Sequence, residues 1–479
     1  MSSTASSYDI PRMLAGIVLT LLALTLTLFA LPSLWPPNPS ALFLSTIILL
    51  YGLMVFASSY VEEEQQFWFW TTPAWLTNLT LSKLRTTPTL RTLLAGTALL
   101  ILHRFSIRWN QTGQKHSGSP DIVSHFFPAH HIFMWVLVLA SYGLNALHIA
   151  RYSLSDFLPA GFAASLAAMI FVPSVLFKLN FTQADAPELV QDVGRRLREW
   201  SVGFDLVVQA RVVFILLGIV TGLVLVLPGL LKRLEVKSGG SRGSELRNLA
   251  ERLHPLLTMF LVMQTRAPNV PLFMVVEGMR WLLGYLLERS DGREKAVSVA
   301  TSVLLLSNVY YFCMGGSNSI SSIDLSNAYN GVADYNIVAV GVLLFVSNWA
   351  GPVWWCSAAV LLLSEKPSNP AKPETNGGRD WINAERAKLR EDAVEKKQDP
   401  DPSTTDDDET WQLYLICMTA FIAGSILAVM AACTALRTHL FIWTVFSPKY
   451  LYAMAWAVAW HLLVNCGLGS LLWWIASVA

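Results

Sequence analysis

Two stretches of this chain concentrate side chains able to recognise a polar ligand. The first reads Arg108-Trp109-Asn110-Gln111-Thr112-Gly113-Gln114-Lys115-His116. The second runs from Gly315 to Gly331 and carries Ser317, Asn318, Ser319, Asp324, Asn327 and Asn330. Amides, hydroxyls and an aromatic plane suit a lattice of sugar hydroxyls, and Arg108 and Lys115 suit a phosphate. Glycine, serine and asparagine in such density are equally the chemistry of ordinary turns. The candidate binding residues are Asn110, Gln111, Gln114, Lys115, Ser317, Asn318, Ser319, Asp324, Asn327 and Asn330. No residue is assigned a catalytic role.

Other polar groups stand in apolar surroundings. Glu277 and Arg280 are three apart, so they share one helix face. A charge inside a bilayer costs about 3 kcal/mol or more, so such residues face the protein interior and are paired. They form either a polar cavity for a lipid headgroup or an ion pair locking two helices. His461 and Asn465, one turn apart, make a second inward polar stripe, for which interhelical hydrogen bonding is the plainer reading. Asn110 and Asn180 each head an Asn-x-Thr glycosylation signal. His125, His130 and His131 lack an acidic companion at ligand spacing, so they read as interfacial histidines and no metal site is expected. The five cysteines, Cys313, Cys356, Cys417, Cys433 and Cys466, show no CxxC spacing and read as small buried apolar residues, with a Cys313–Cys433 bridge as the lesser alternative.

The elements that must hold these residues are membrane helices. Hydrophobic residues make up 53% of the chain and charged ones 14%, against about 25% charged in ordinary globular domains. The net charge of +1 gives no basic surface for nucleic acid. A crossing helix needs about 20 apolar residues. Clear candidates are Met13–Leu31, Ala41–Ser58, His131–His148, Phe157–Phe177, Leu206–Leu231, Val297–Cys313, Asn336–Leu363, Trp411–Leu436 and Tyr450–Val478. Weaker ones are Phe67–Leu81, Leu90–His103, Leu253–Gln264 and Val270–Leu287. The expected fold is an all-α, polytopic transmembrane helix bundle of about 13 spans.

Three units follow: a first bundle segment over 1–363 with about 11 spans, a disordered charged linker over 364–410, and two last helices over 411–479. The linker is rich in proline and ends in the acidic run Asp406–Glu409. Basic residues cluster in the loops after Leu231 and after Leu287 and in the linker. The positive-inside rule puts these in the cytosol, with the N-terminus lumenal and the C-terminus cytosolic. No GxSxG, P-loop or HExxH pattern occurs. No loop has room for a folded catalytic domain, so any chemistry belongs to the bundle or to another chain. A lipid transporter or flippase, or a non-catalytic scaffold subunit, fits this outline too. The internal repeats that mark many transporters are not found.

Five stretches carry a family resemblance. They are Tyr60–Trp68 (YVEEEQQFW), the WNQTGQK loop, the GGSNSISSIDLSNAYNG loop, Val346–Pro352 (VSNWAGP) and Phe446–Tyr450 (FSPKY). Together they resemble the membrane portion of a fungal GPI (glycosylphosphatidylinositol) ethanolamine phosphate transferase of the second type. The resemblance implies transfer of phosphoethanolamine to the second mannose of GPI in the endoplasmic reticulum membrane. It implies a GPI precursor glycolipid and phosphatidylethanolamine as substrates and a small hydrophobic PIG-F-like subunit as partner. It also implies a lumenal phosphatase-like domain holding zinc and a threonine nucleophile. None of that domain's residues maps onto these 479, so the chain is expected to hold glycolipid, to carry no cofactor and to be inactive alone.

Loop charge generates the first prediction. An epitope within 364–410 should be digested by protease added to sealed microsomes; protection of that epitope would reverse the orientation.

Overall fold

The computed structural model describes residues 10–29, 39–57, 61, 63–111, 119–191, 193–201, 203–238, 249–288, 292–364, 402–436 and 446–478. Helices account for its long elements, and no strand occurs among the described residues. The first ten are α1 (Ile10–Phe29), α2 (Pro39–Val55), α3 (Glu64–Thr86), α4 (Leu90–Ser106), α5 (His131–His148), α6 (Ala160–Asp185), α7 (Leu206–Ser238), α8 (Leu249–Met263), α9 (Leu272–Leu287) and α10 (Gly292–Cys313). Then come α11 (Ile337–Asn348), α12 (Ala350–Ser364), α13 (Pro402–Ala435) and α14, which joins Ser447–Ala455, the π-wound Trp456–Gly469 and Ser470–Val478.

The bundle is organised around α10, which is buried at every position from Lys295 to Cys313. Its sequence explains this. Ala296, Ser298, Ala300, Thr301, Ser302 and Ser307 are small and spread around the helix. Lipid tails are as apolar as leucine, so membrane helices associate through close packing and side-chain hydrogen bonds. α2, α3, α12 and α13 all pack on α10. Hydroxyls stitch these contacts. Ser298 Oγ lies 2.9 Å from Ser40 Oγ on α2, Trp75 Nε1 of α3 donates to Ser302 Oγ at 2.9 Å, and Tyr310 Oη lies 2.7 Å from Ser106 Oγ on α4. Outside this centre, α5–α8 form a second layer through α5–α6, α6–α7 and α7–α8 contacts. Large apolar side chains such as Leu19, Leu49, Ile101, Phe162 and Ile215 face outward, as lipid requires.

Seven helices among the described residues are long and apolar enough to cross a membrane. The segment expected as one span over Asn336–Leu363 is instead a pair, α11 and α12, bent by 77°, which makes an eighth crossing if counted as one. Pro352 explains the break: it has no N–H to donate to the carbonyl of residue 348. Two shorter apolar helices, Leu14–Thr27 and Pro39–Val55, stand beside these. The linker boundary also shifts. Helix α13 begins at Pro402 rather than at Trp411, so Asp406–Glu409 belong to a helix. Proline at the first helical position costs no hydrogen bond, which is why the helix starts there. The rest of the linker, 365–401, lies outside the described residues. The five cysteines are free, so no Cys313–Cys433 bridge forms.

The α3–α4 crossing shows how tight the packing is. A Cβ added at Gly96 would fall 2.1 Å from Thr80 Cγ2 and 2.4 Å from Thr80 Oγ1. Gly96→Ala should therefore push the helices apart at a cost of about 1–3 kcal/mol. Thr80→Ala removes the two nearest atoms, leaving Thr80 Cβ at 2.8 Å, and should recover part of the loss. A thermal-shift assay of the detergent-purified variants checks this; a Gly96→Ala protein as stable as wild type would contradict it.

Candidate functional site

At one end of the bundle the chain buries a carboxylate. Glu64 opens α3, and its Oε1 accepts from Tyr51 Oη at 2.9 Å and Trp68 Nε1 at 3.2 Å. Its Oε2 accepts from Asn318 Nδ2 at 2.7 Å and pairs with Lys449 Nζ. Both charged side chains are almost fully buried. Burying either alone would be expensive; together, with further hydrogen bonds, the pair is balanced. Asn318 Nδ2 also donates to the Val61 carbonyl at 2.8 Å. Four separate parts of the chain, at α2, at α3, after α10 and at α14, are thereby tied at one point.

The serine-asparagine loop is held over the tip of α10. Gly315 (φ +103°) and Gly331 (φ +76°) bracket it in left-handed conformations, which cost a non-glycine residue energy. Tyr311 Oη donates to the Ser317 carbonyl at 2.9 Å and Tyr452 Oη to the Ser319 carbonyl at 3.0 Å. Ser317 Oγ accepts from the Ser319 amide at 3.0 Å. Further on, Asp324 and Asn348 exchange two bonds: the Asp324 amide donates to Asn348 Oδ1 at 2.9 Å, and Asn348 Nδ2 donates to the Asp324 carbonyl at 3.0 Å. Arg266 Nε lies 3.1 Å from Asp324 Oδ2. Asn330 Nδ2 donates to Gln264 Oε1 and to Asn327 Oδ1, each at 3.1 Å.

The first polar loop reaches the same place. Asn110 Nδ2 donates to the Cys313 carbonyl at 2.5 Å and to Asn269 Oδ1 at 3.0 Å. Asn269 Nδ2 donates to the Met314 carbonyl at 2.8 Å, and Trp109 Nε1 to the Pro268 carbonyl at 3.0 Å. The end of α10 is thus capped by amides from two other loops. A glycan on Asn110 would replace one of the two Nδ2 hydrogens and so remove at least one of these bonds. Asn180, the second signal, donates to Gln209 Oε1 at 2.9 Å. Gln111 Nε2 donates to the Ile107 carbonyl at 2.7 Å. Gln114 and Lys115 lie outside the described residues.

The remaining candidates lie deeper and apart. Arg280 Nη2 pairs with Glu277 Oε1 at 2.8 Å, within α9 alone. The link to other helices runs through His254 of α8, whose Nε2 is 3.6 Å from Glu277 Oε2 and whose Nδ1 is 2.7 Å from Ser357 Oγ of α12. His461 Nε2 lies 2.9 Å from Thr419 Oγ1, and Tyr414 Oη donates to Asn465 Oδ1 at 3.0 Å, so both side chains of α14 bond across to α13. Among the described residues no group of three or more His, Cys, Asp or Glu side chains could hold a metal ion.

Four participants escape sequence reasoning. Glu64 and Lys449 are 385 positions apart; each sits in a quoted stretch, yet nothing in the chain announces the pair. Lys178 is fully buried, and its Nζ donates to the carbonyls of Met263 at 2.8 Å and Thr265 at 2.7 Å, satisfying the end of α8. Its signal was a lone lysine at the end of an apolar run. His254 had no signal beyond its place inside a weak span.

A helical bundle with this apolar exterior, and with many of its buried polar groups paired internally, is a multi-pass membrane protein. Residues 5–478 match the family described as the GPI ethanolamine phosphate transferase membrane region, and the chain belongs to that family. It is 34% identical to the GPI ethanolamine phosphate transferase 2 of Aspergillus fumigatus over 97% of this chain and 46% of that protein. The Yarrowia lipolytica protein of the same name is 35% identical over 98% of this chain and 53% of its own length. That of Saccharomyces cerevisiae is 27% identical over 97% and 51%. The chain spans about half the length of these relatives. No solved structure matches.

The Glu64–Lys449 pair gives the third prediction. Lys449→Met strands a buried carboxylate and should cost about 3–5 kcal/mol, the typical penalty for breaking a buried pair. The double change Glu64→Gln with Lys449→Met removes both charges and should recover much of that. Folded yield by fluorescence-detected size exclusion reads this out; a Lys449→Met protein of wild-type yield would contradict it.

Proposed function

We propose that this bundle acts in GPI-anchor biosynthesis as the membrane platform of a phosphoethanolamine transferase, holding the mannosylated lipid for reaction at its lumenal end. One observation carries this reading. Stretches scattered from Val61 to Lys449 converge on one hydrogen-bonded cluster around the tip of α10. A bundle that needed only to span the membrane would need no such rigid polar end. Such a surface suits a partner domain and a glycan that must be presented in a fixed position, where orientation supplies much of the rate.

Read as the 13 crossings expected from the sequence, with the bent α11–α12 pair counted once and the N-terminus lumenal, the bundle would present this end to the lumen of the endoplasmic reticulum. Loop charge supports that orientation. The transfer step itself falls to a lumenal phosphatase-like domain of the kind the resemblance implies, with phosphatidylethanolamine as donor, zinc in that domain and a small PIG-F-like membrane subunit as companion. Phosphoryl-type transfer needs a positioned nucleophile and electrostatic stabilisation of the transferred group.

The purified 479-residue chain should therefore bind a mannosylated GPI precursor in nanodiscs. It should form no phosphoethanolamine product when phosphatidylethanolamine is added. Fusing the family's phosphatase-like domain should bring turnover. Metal-dependent transfer by the 479 residues alone would refute the division of labour, and failure to bind the glycolipid would refute the holding role.

A further inference from the structure

A cavity of about 360 Å³ lies between α7, α8, α12 and α14. Its walls include Phe214, Gly218 and Thr221 of α7, Leu253 and Phe260 of α8, and Leu472 of α14. Its rim continues into the outward-facing Ile215, Ile219 and Leu468. Hydrocarbon is the medium at this depth, so an apolar space open to the bilayer is filled by lipid chains. A methylene group is close in size to a water's share of liquid, about 30 Å³, so the space takes roughly a dozen methylenes. From Ala250 to Phe260 the wall runs along roughly 15 Å of helix. The cavity thus has room for one acyl chain.

One turn beyond the lining residue Phe214, α7 carries a charge. Arg211, Phe214, Gly218 and Thr221 follow the i, i+3, i+7, i+10 spacing of one helix face. Arg211 is exposed, and its Nε donates to the Gly331 carbonyl at 2.8 Å, at the end of the serine-asparagine loop. One turn below it, the Phe214 and Phe260 rings lie 5.8 Å apart. A guanidinium above an apolar slot complements a lipid phosphate above an acyl chain. We infer that this cavity seats one acyl chain of the GPI precursor, with Arg211 meeting the phosphate of its phosphatidylinositol portion. This rests on the glycolipid-holding role proposed above. It would place the glycan beside Asn327–Gly331.

Gly218 makes the test clean. Gly218 lines the cavity and a Cβ there meets nothing within 4 Å, so a larger side chain can be introduced at this wall. Gly161 on α6 is equally open and serves as control. The chain in phosphatidylcholine nanodiscs is photolabelled with a phosphatidylinositol bearing a diazirine within one acyl chain. Wild type should be labelled on peptides covering 214–221 and 253–260. Gly218→Phe should lower that labelling roughly tenfold, as overfilling a packed site does. Gly161→Phe should not change it, and Arg211→Gln should weaken it. Unlabelled mannosylated GPI precursor should compete. Labelling elsewhere, or labelling indifferent to Gly218→Phe, overturns the inference; glycolipid binding retained by that variant then leaves the holding role standing. Cavity labelling that the precursor cannot suppress means another lipid or a bilayer chain fills it, and also overturns the inference. Absence of precursor binding to wild type would instead defeat the holding role itself.

Discussion

Glu64 is a carboxylate sealed into a protein built for hydrocarbon, and the loop end of the bundle is arranged around neutralising it. Both of its oxygens are occupied, by Tyr51 and Trp68 on one side and by Asn318 and Lys449 on the other. The partners come from α2, α3, the serine-asparagine loop and the start of α14. Satisfying one buried charge therefore fixes the relative positions of four chain segments. The same condition governs the neutral groups. A helix ends with free carbonyls, and away from water each needs a donor. Asn110 supplies one to α10, and Lys178 supplies the end of α8.

That arrangement rests on α10. A helix buried on all sides can be approached closely only if its residues are small, and Ser298 and Ser302 combine small size with a hydrogen bond to a neighbour. The tip of such a helix is held by packing on all sides. Mounting two polar loops there gives them a rigid base, which loops on peripheral helices would lack. The aromatic layer beneath follows from this: Tyr311, Trp349, Tyr452 and Trp456 lie in mutual ring contact under the loop.

Apolar length made the helices legible in the sequence, because hydropathy reports the medium directly. It could not report the 77° bend at Trp349, since α11 and α12 are equally apolar on both sides of it. Nor could it report that α13 starts at Pro402, since its first turns are polar. The two polar loops were legible as places of unusual chemistry. The direction of their side chains was not. Asn110, Asn318 and Asn348 each donate to backbone carbonyls, and a carbonyl acceptor leaves no trace in residue type. Pairs such as Glu64 with Lys449, or His254 with Ser357, are long-range facts of packing. The sequence displays their members without their partnership.

The inward use of so many polar side chains changes what kind of recognition this end can offer. Asn318, Asn327 and Asn330 already spend donors on the protein, so they shape a surface more than they grip a ligand. Specific grip then falls to groups at the edge of the cluster, of which Arg211 is exposed. A platform of this kind suits a substrate held chiefly by its lipid, whose head must be positioned but then released. Tight binding to the glycan would lower the ground state and the transition state together and gain no rate. On the holding role proposed above, anchoring through an acyl chain at the side of α7, with a polar surface above, separates retention from presentation. A long glycan could then meet a catalytic group at one mannose while its lipid stays seated.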